Sequence, residues 1–388
     1  MERANSVQII HTTRALAELG HDVHLFVRRS WGTSEEEALQ YYGLKPHDNL
    51  HIHRVPVLNV QGFPGAQKIW NYSYYMALLP QLFKQAKSSN SVLFVRDIGF
   101  AAKLLNWNVK CPLVFESHGV DTMLVKNFSS WQGSDRYADT QKHETRISNF
   151  EKTVMEKASG IITLTEVLRN CLDELYDLGD KPTQVVADGC LPPEPLPDFL
   201  QRDGSILYAG QLYPWKGVDL LVEAMKYLPD KTLKILGGLP FDDDKKRLEK
   251  KVAELGIKDR VIFLGQVRHN QVARYLRESS VGVLPLPDIP PAAIFTSPLK
   301  LFEYMASGLP IVLSDLPSLR EIIKDGETGL FYKPDDAKSL SEALRESLAN
   351  PVKSEAMAEA AWQKVSEFTW DKRAEKITYF LKKINGKN

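Results

Sequence analysis

Short apolar stretches rich in β-branched residues recur at 23–27, 51–57, 92–95, 113–117, 161–164 and 184–186. Longer stretches with apolar positions three and four apart fill the spaces between them, as at 6–19, 66–87 and 165–178. Strand-length runs alternating with helix-length patterns predict a parallel sheet wrapped by helices, since each return between parallel strands needs a long crossover. Residues 191–198, LPPEPLPD, then place four prolines in eight positions. Proline fixes φ and cannot continue a helix, so a linker is predicted there. A second alternating series follows at 205–209, 232–236, 261–264, 281–284 and 310–313, and 370–383 is a last amphipathic helix. The expectation is two doubly wound α/β domains at 1–190 and 204–369, a linker at 191–203, and a final helix within 370–388.

The front of the chain departs from that scheme. Residues 6–19 carry Val7, Ile10, Ala15, Leu16 and Leu19 at helical spacing, and only five residues precede them. A doubly wound domain ordinarily begins with a central strand and a glycine-rich turn. Its absence predicts two neighbouring strands facing each other across a gap one strand wide. Either the sheet closes up around that gap, or the protein starts upstream of Met1 with a further apolar strand; the second is the expectation.

Composition narrows the function classes. The chain has 388 residues, 43% hydrophobic and 25% charged, enough for two sizeable cores. Lys plus Arg (49) equals Asp plus Glu (49), which excludes a global basic field for nucleic acid. Cys111, Cys171 and Cys190 are far apart, so neither a disulfide framework nor a zinc ribbon is expected, and a reducing, cytoplasmic setting follows. No stretch reads as a membrane span or a secretion signal. Residues 49–96 contain no Asp or Glu, and the helix pattern 66–87 inside them carries Trp70, Tyr72, Tyr74, Tyr75, Met76 and Phe83 with Lys68, Lys84 and Lys87. That reads as a core-packing helix with a solvated edge, or as a patch touching the inner face of a membrane. Asp242, Asp243 and Asp244 open a lysine-rich helix pattern, where acids favour the positive dipole end, so no metal is expected there.

Three segments carry candidate chemistry. Residues 205–217, SILYAGQLYPWKG, read as strand, tight loop and helix start. Gly210 permits a sharp turn, and Lys216 beside a helix N-terminus suits a phosphate, or is a plain loop lysine. Residues 296–310, TSPLKLFEYMASGLP, offer Ser297 as an N-cap and Pro298 at the first helical position. Lys300 and Glu303 share a face, either to neutralise a phosphate and accept from a ribose, or as a surface ion pair. Residues 113–119, LVFESHG, end an apolar strand with His118 at the edge where open α/β sheets bind ligands; a histidine capping the turn is the plain alternative.

Together and in this order, LYAGQL with WKG, VIFLGQV (261–267), VLPL (283–286), SPLKLFEYMASGLPIV (297–312) and DGETGL (325–330) resemble family 4 of the retaining glycosyltransferases, over nearly the whole chain. The resemblance implies a GT-B fold: two Rossmann-like domains facing across a cleft. It implies a nucleotide-sugar donor on the C-terminal domain, a glycan, lipid-linked or small-molecule acceptor on the N-terminal one, and a final helix crossing back. It assigns catalysis to His118, Lys216 and Glu303. It assigns the donor to Gly210, Gln211, Lys216, Val267, Ser297, Pro298, Leu299, Lys300 and Glu303, and the acceptor side to Asn5, His118 and Asp121. Two positions depart from the family pattern. Phe295 stands where the first glutamate of the Glu-x7-Glu motif belongs, and Gln211 where an arginine usually accompanies the lysine.

The chemistry implied is departure of a nucleoside diphosphate from an oxocarbenium-like sugar. Preorganised positive charge at the departing anion is the largest help a protein can give. Lys216, Lys300 and a helix N-terminus would supply it without a metal or other cofactor. A nucleotide-sugar epimerase, a glycosyl phosphorylase, and a binding protein descended from such enzymes are the alternatives.

Overall fold

The computed structural model describes residues 4–28, 34–58, 66–86, 90–107, 109–129, 140–238, 243–267 and 269–386. Lys87 and Asp242 lie outside them, as do the side chains of Lys68 and Trp70. Twelve strands are assigned among these residues: β1 Val23–Arg28, β2 Leu50–Val55, β3 Leu93–Val95, β4 Leu113–Ser117, β5 Gly160–Thr163, β6 Thr183–Val185, β7 Ile206–Ala209, β8 Leu233–Leu236, β9 Val261–Gly265, β10 Val281–Leu284, β11 Ile311–Ser314 and β12 Leu330–Tyr332. Every pairing between them is parallel.

The C-terminal sheet has the order β12-β11-β10-β7-β8-β9. Its central strands β7, β10 and β11 are buried at every position, which explains why ILYA, VGVL and IVLS read as apolar runs without alternation. The chain runs outward from β7 through β8 to β9, then crosses to β10 on the other side. The loops after β7 and β10 therefore diverge at the carboxyl edge, which is where open α/β sheets bind ligands.

The N-terminal half forms two sheets, β1-β2 and β3-β4-β5-β6. Among the described residues no ladder joins them: β1 pairs with β2, and β3 with β4. The sheet does not close up around the predicted gap. The opening helix, Ala4–Glu18, buries Ile10, Ala15 and Leu16 as its spacing predicts, and departs from that reading in two respects. Leu19 is 45% exposed beyond its end, while Gln8, His11 and Thr12 are buried. Gln8 and Thr12 meet a buried ionic network described below, and His11 stacks on Trp370.

The last helix, Trp370–Ile384, packs Trp370, Ala374, Ile377 and Phe380 against Ala15, Leu16, Val114 and Ile162, so the end of the chain seals the N-terminal sheet. A Cβ on Gly160 would lie 2.8 Å from the Phe380 ring, so this helix approaches β5 too closely for a side chain. The two halves also meet directly. Phe295 and Ile294 pack into the N-terminal core. The Thr165 hydroxyl donates to the Ile294 carbonyl at 2.8 Å. Glu321 accepts from the Glu166 and Val167 amides, each at 2.8 Å, capping the helix Glu166–Tyr176 from the opposite half. Asp243 and Asp244 sit in the first turn of a helix, Asp243–Glu254, paired with Lys246 and Arg247, as a helix start requires.

Candidate functional site

The loop after β7 runs Gly210 to Gly217 and ends in a short 3-10 turn, Pro214–Lys216. Gly217 has φ +71°, and a Cβ there would strike the Pro285 carbonyl at the end of β10. This contact draws the β7 and β10 loops together at the switch point, and it needs glycine on both counts. Gly210, at φ +148°, lies against the Lys300 ammonium, so any side chain there would displace that charge.

Lys300 comes from the helix Leu299–Ala306. Its ammonium donates to the Tyr208 hydroxyl at 3.0 Å and lies 4.2 Å from the centre of that ring. Tyr208 in turn donates to the Gln211 carbonyl at 2.6 Å, tying β7 to its own loop. Burial lowers the Lys300 pKa well below the usual lysine range, the neighbouring Lys216 lowers it further, and Glu303 opposes both. Burial also lowers Lys216. Two ammonium groups thus repel each other at one crevice, an arrangement that an anion between them would relieve.

Ser297 does not cap the helix as its sequence position predicts. Pro298 is the N-cap, with no side-chain cap bond, and the Ser297 hydroxyl instead accepts from the Asp188 amide at 2.9 Å. The Leu301 amide bonds the Pro298 carbonyl, while no capping side chain takes the amides of Leu299 and Lys300 before it, the kind of helix start that suits an anion or water. Val267 follows β9 and packs on the same core as this helix. Glu303, one turn on, adds to the burial that pushes the Cys190 thiol up to about 12.

On the N-terminal side, β4 ends at Ser117 and delivers His118. His118 Nε2 lies 3.1 Å from Glu116 Oε2. Glu116 is the centre of a network that sequence reasoning missed. Gln8 Nε2 donates to its two oxygens at 3.1 and 3.2 Å, and the Arg373 guanidinium ion-pairs with it. Arg373 also donates to the Val186 and Ala187 carbonyls at 2.8 and 2.7 Å and to Thr12 at 3.0 Å, while Arg96 donates to Gln8 at 2.7 Å. Burial alone would raise the Glu116 pKa; Arg373, His118 and Arg96 outweigh it and hold the group ionised. Burial raises Asp188, which sits 3.9 Å from Arg373 and within electrostatic reach of His118. The signals were a lone acid inside an apolar strand and one arginine on the apolar face of the last helix.

The predicted residues therefore form two groups. Gly210, Lys216, Lys300 and Glu303 gather at the β7–β10 crevice. His118 lies on the N-terminal side within electrostatic reach of Asp188, whose backbone amide donates to Ser297 of the other half. Asp121 stands apart: burial, Glu151 and Asp97 push its carboxyl up to about 7. Its amide and the Thr122 hydroxyl donate to Glu151 at 2.5 and 2.6 Å. Asn5 is exposed in the first turn of the opening helix. Phe295, in place of the family's first glutamate, is 2% exposed and packs on Gly119 directly behind His118. An apolar ring there fastens the two halves together and offers no acceptor to a sugar.

Comparison with known proteins agrees with this architecture. The family described as Glycosyltransferase Family 4 matches residues 6–190, and Glycosyl transferases group 1 matches residues 199–364. A D-inositol 3-phosphate glycosyltransferase of Stackebrandtia nassauensis is 26% identical, covering 96% of this chain and 85% of its own. The sucrose-phosphate synthase of Thermosynechococcus elongatus superposes with a TM-score of 0.80 at 21% identity, over 100% of this chain and 94% of its own. HepE of Anabaena, solved with UDP and glucose, gives 0.69 at 14% identity, over 96% and 95%. With the switch-point crevice, the two facing Rossmann-like halves and both family matches in place, the chain belongs to glycosyltransferase family 4 and is a glycosyltransferase of GT-B fold.

Proposed function

We propose that this protein transfers a sugar, with retention and without a metal, from a UDP- or GDP-sugar to a glycan, lipid-linked or small-molecule acceptor. One observation supports the reading most: Lys216 and Lys300 converge at the β7–β10 crevice, beside an uncapped helix N-terminus. A diphosphate there relieves their repulsion, and the charge is already in place when the leaving group develops its own. Glu303, one turn from Lys300, accepts from the ribose in this reading. His118 faces the sugar, with Glu116 beside its ring. Glu116 itself is engaged by Arg373 and Gln8 and is unsuited to act as a nucleophile. The sugar therefore leaves and is captured on the same face, and the departing phosphate takes the acceptor's proton.

The test is a panel of UDP- and GDP-sugars, followed for nucleotide release in EDTA, with the anomer of the product read by NMR. The reading expects release from one donor and an unchanged anomeric configuration. Inversion, a requirement for Mg²⁺ or Mn²⁺, or no release from any donor contradicts it.

A lipid-linked acceptor has its own support. The helix Ala66–Gln85 exposes Ile69, Tyr72, Met76 and Phe83, which fall along one stripe with Lys84 near its end. Among the described residues no helix is long and apolar enough to cross a membrane, so contact would be peripheral. Flotation with anionic liposomes should carry the protein at low salt and lose it as salt rises. Absence of binding at every salt concentration would leave this stripe without a membrane role.

A further inference from the structure

The β1–β2 ladder carries a second group of chemistry-bearing residues, away from the crevice. Parallel strands bring register partners to the same face, and here His24 pairs with His51 and Phe26 with His53. Asp22, two positions before His24, shares that face. The rings of His24 and His51 stack at 4.8 Å, and those of Phe26 and His53 at 4.7 Å. Asp22 reaches both imidazoles at the amino-terminal end of the ladder: Oδ1 lies 2.9 Å from His51 Nε2, and Oδ2 lies 3.2 Å from His24 Nε2. One ligand atom from each of the three residues falls within 4.8 Å of the others.

We propose that Asp22, His24 and His51 form a binding site for a divalent transition-metal ion of the zinc class, with His53 holding His24 in place. Zinc takes imidazole nitrogen and carboxylate oxygen at about 2.0–2.2 Å. Tetrahedral ligands at that radius stand about 3.3 Å apart; the two Asp22 oxygens already lie 2.9 and 3.2 Å from the two nitrogens, and the three ligand atoms, within 4.8 Å of one another, would draw in slightly around an ion. Three protein ligands leave a fourth position to water, and Asp22 and His51 are open enough to admit it, at 72% and 45% exposure. His24 Nδ1 lies 2.8 Å from His53 Nε2. With Nδ1–H donating to His53, His24 turns the lone pair of Nε2 toward the Asp22 carboxylate, and a cation between them resolves that apposition. A hydrogen bond on the far nitrogen is the support that ligating histidines generally have. The ion would clamp β1 to β2, a ladder with no third strand among the described residues.

Titration of the full chain with Zn²⁺ alone, followed by calorimetry, tests this. The expected result is one ion per chain and a higher Tm, since an ion that binds only the folded state stabilises it. Asp22→Asn and His51→Ala should each weaken binding at least tenfold. His53→Phe, which keeps the ring stack, should weaken it roughly 10–100-fold. Should His51→Ala fail to fold, Asp22→Asn carries the test at an exposed position. No zinc uptake by the wild type, or equal uptake by wild type and Asp22→Asn, overturns the assignment. A change of UDP affinity on zinc loading would put the ion at the crevice and overturn it equally.

Discussion

Replacing Lys216 by alanine separates catalysis from folding, because this lysine has no hydrogen-bond or ion-pair partner among the described residues. Its ammonium is held partly buried with nothing to neutralise it, so removal leaves no orphaned polar group. The cost in stability should stay under about 1 kcal/mol, mostly lost packing of the stem. The effect on the reaction runs the other way. A preorganised charge aimed at a developing anion contributes about 2.7–4 kcal/mol to the barrier, so kcat should fall roughly 100- to 1,000-fold. Lys300 partly compensates in the ground state. Without Lys216 beside it, its own pKa rises and its charge is better held, so KM for the donor should change far less than kcat. Steady-state kinetics on the donor identified by the panel, beside a thermal melt of each protein, measure both. An unchanged kcat in a folded variant would remove Lys216 from the mechanism. A collapse of Tm together with activity would mean that the lysine serves folding.

Glu303→Gln should weaken donor binding with a smaller change in kcat, because a ribose contact is present in ground and transition states alike; equal donor affinity in both proteins would exclude that role. Arg373→Met should destabilise by about 3–5 kcal/mol in denaturant titration, since it strands the buried Glu116 carboxylate; a shift under 1 kcal/mol would show that Gln8 and Arg96 suffice. Asp121 keeps its proton in the folded state up to about 7, but loses it near 3.8 when unfolded. The folded state then binds more protons between those values, so this group's contribution to stability falls as pH rises from about 4 to about 7. Asp121→Asn should flatten that slope and gain stability relative to wild type at pH 8; parallel pH–stability curves would refute the raised pKa.

Much of the fold is legible because it rests on local pattern. The fully buried strands of the C-terminal sheet announce themselves as short apolar runs, and the final helix lies at 370–384 against 370–383 from its amphipathic spacing. The interrupted N-terminal sheet was visible in the opening residues, where a helix pattern stands in the place of a strand. The Glu116 network was not, because its members lie at positions 8, 96, 116 and 373 and meet only through tertiary packing. The same holds for Ser297. Local rules make it an N-cap, yet the Asp188 amide from the other half of the chain claims its hydroxyl. Phe295 shows the reverse case. Sequence marked it as a departure, and its depth in the N-terminal core supplies a packing reason.

The central claim is that the crevice between β7 and β10 holds the diphosphate of a nucleotide donor. Calorimetric titration of the full chain with UDP and with GDP, repeated on Lys300→Met, tests it most directly. Methionine keeps the length and packing of the stem, and Tyr208 retains its bond to the Gln211 carbonyl. One nucleoside diphosphate should bind per chain, at least tenfold more weakly when Lys300 loses its charge. If neither nucleotide binds, or the folded variant binds as tightly as the wild type, the claim is contradicted.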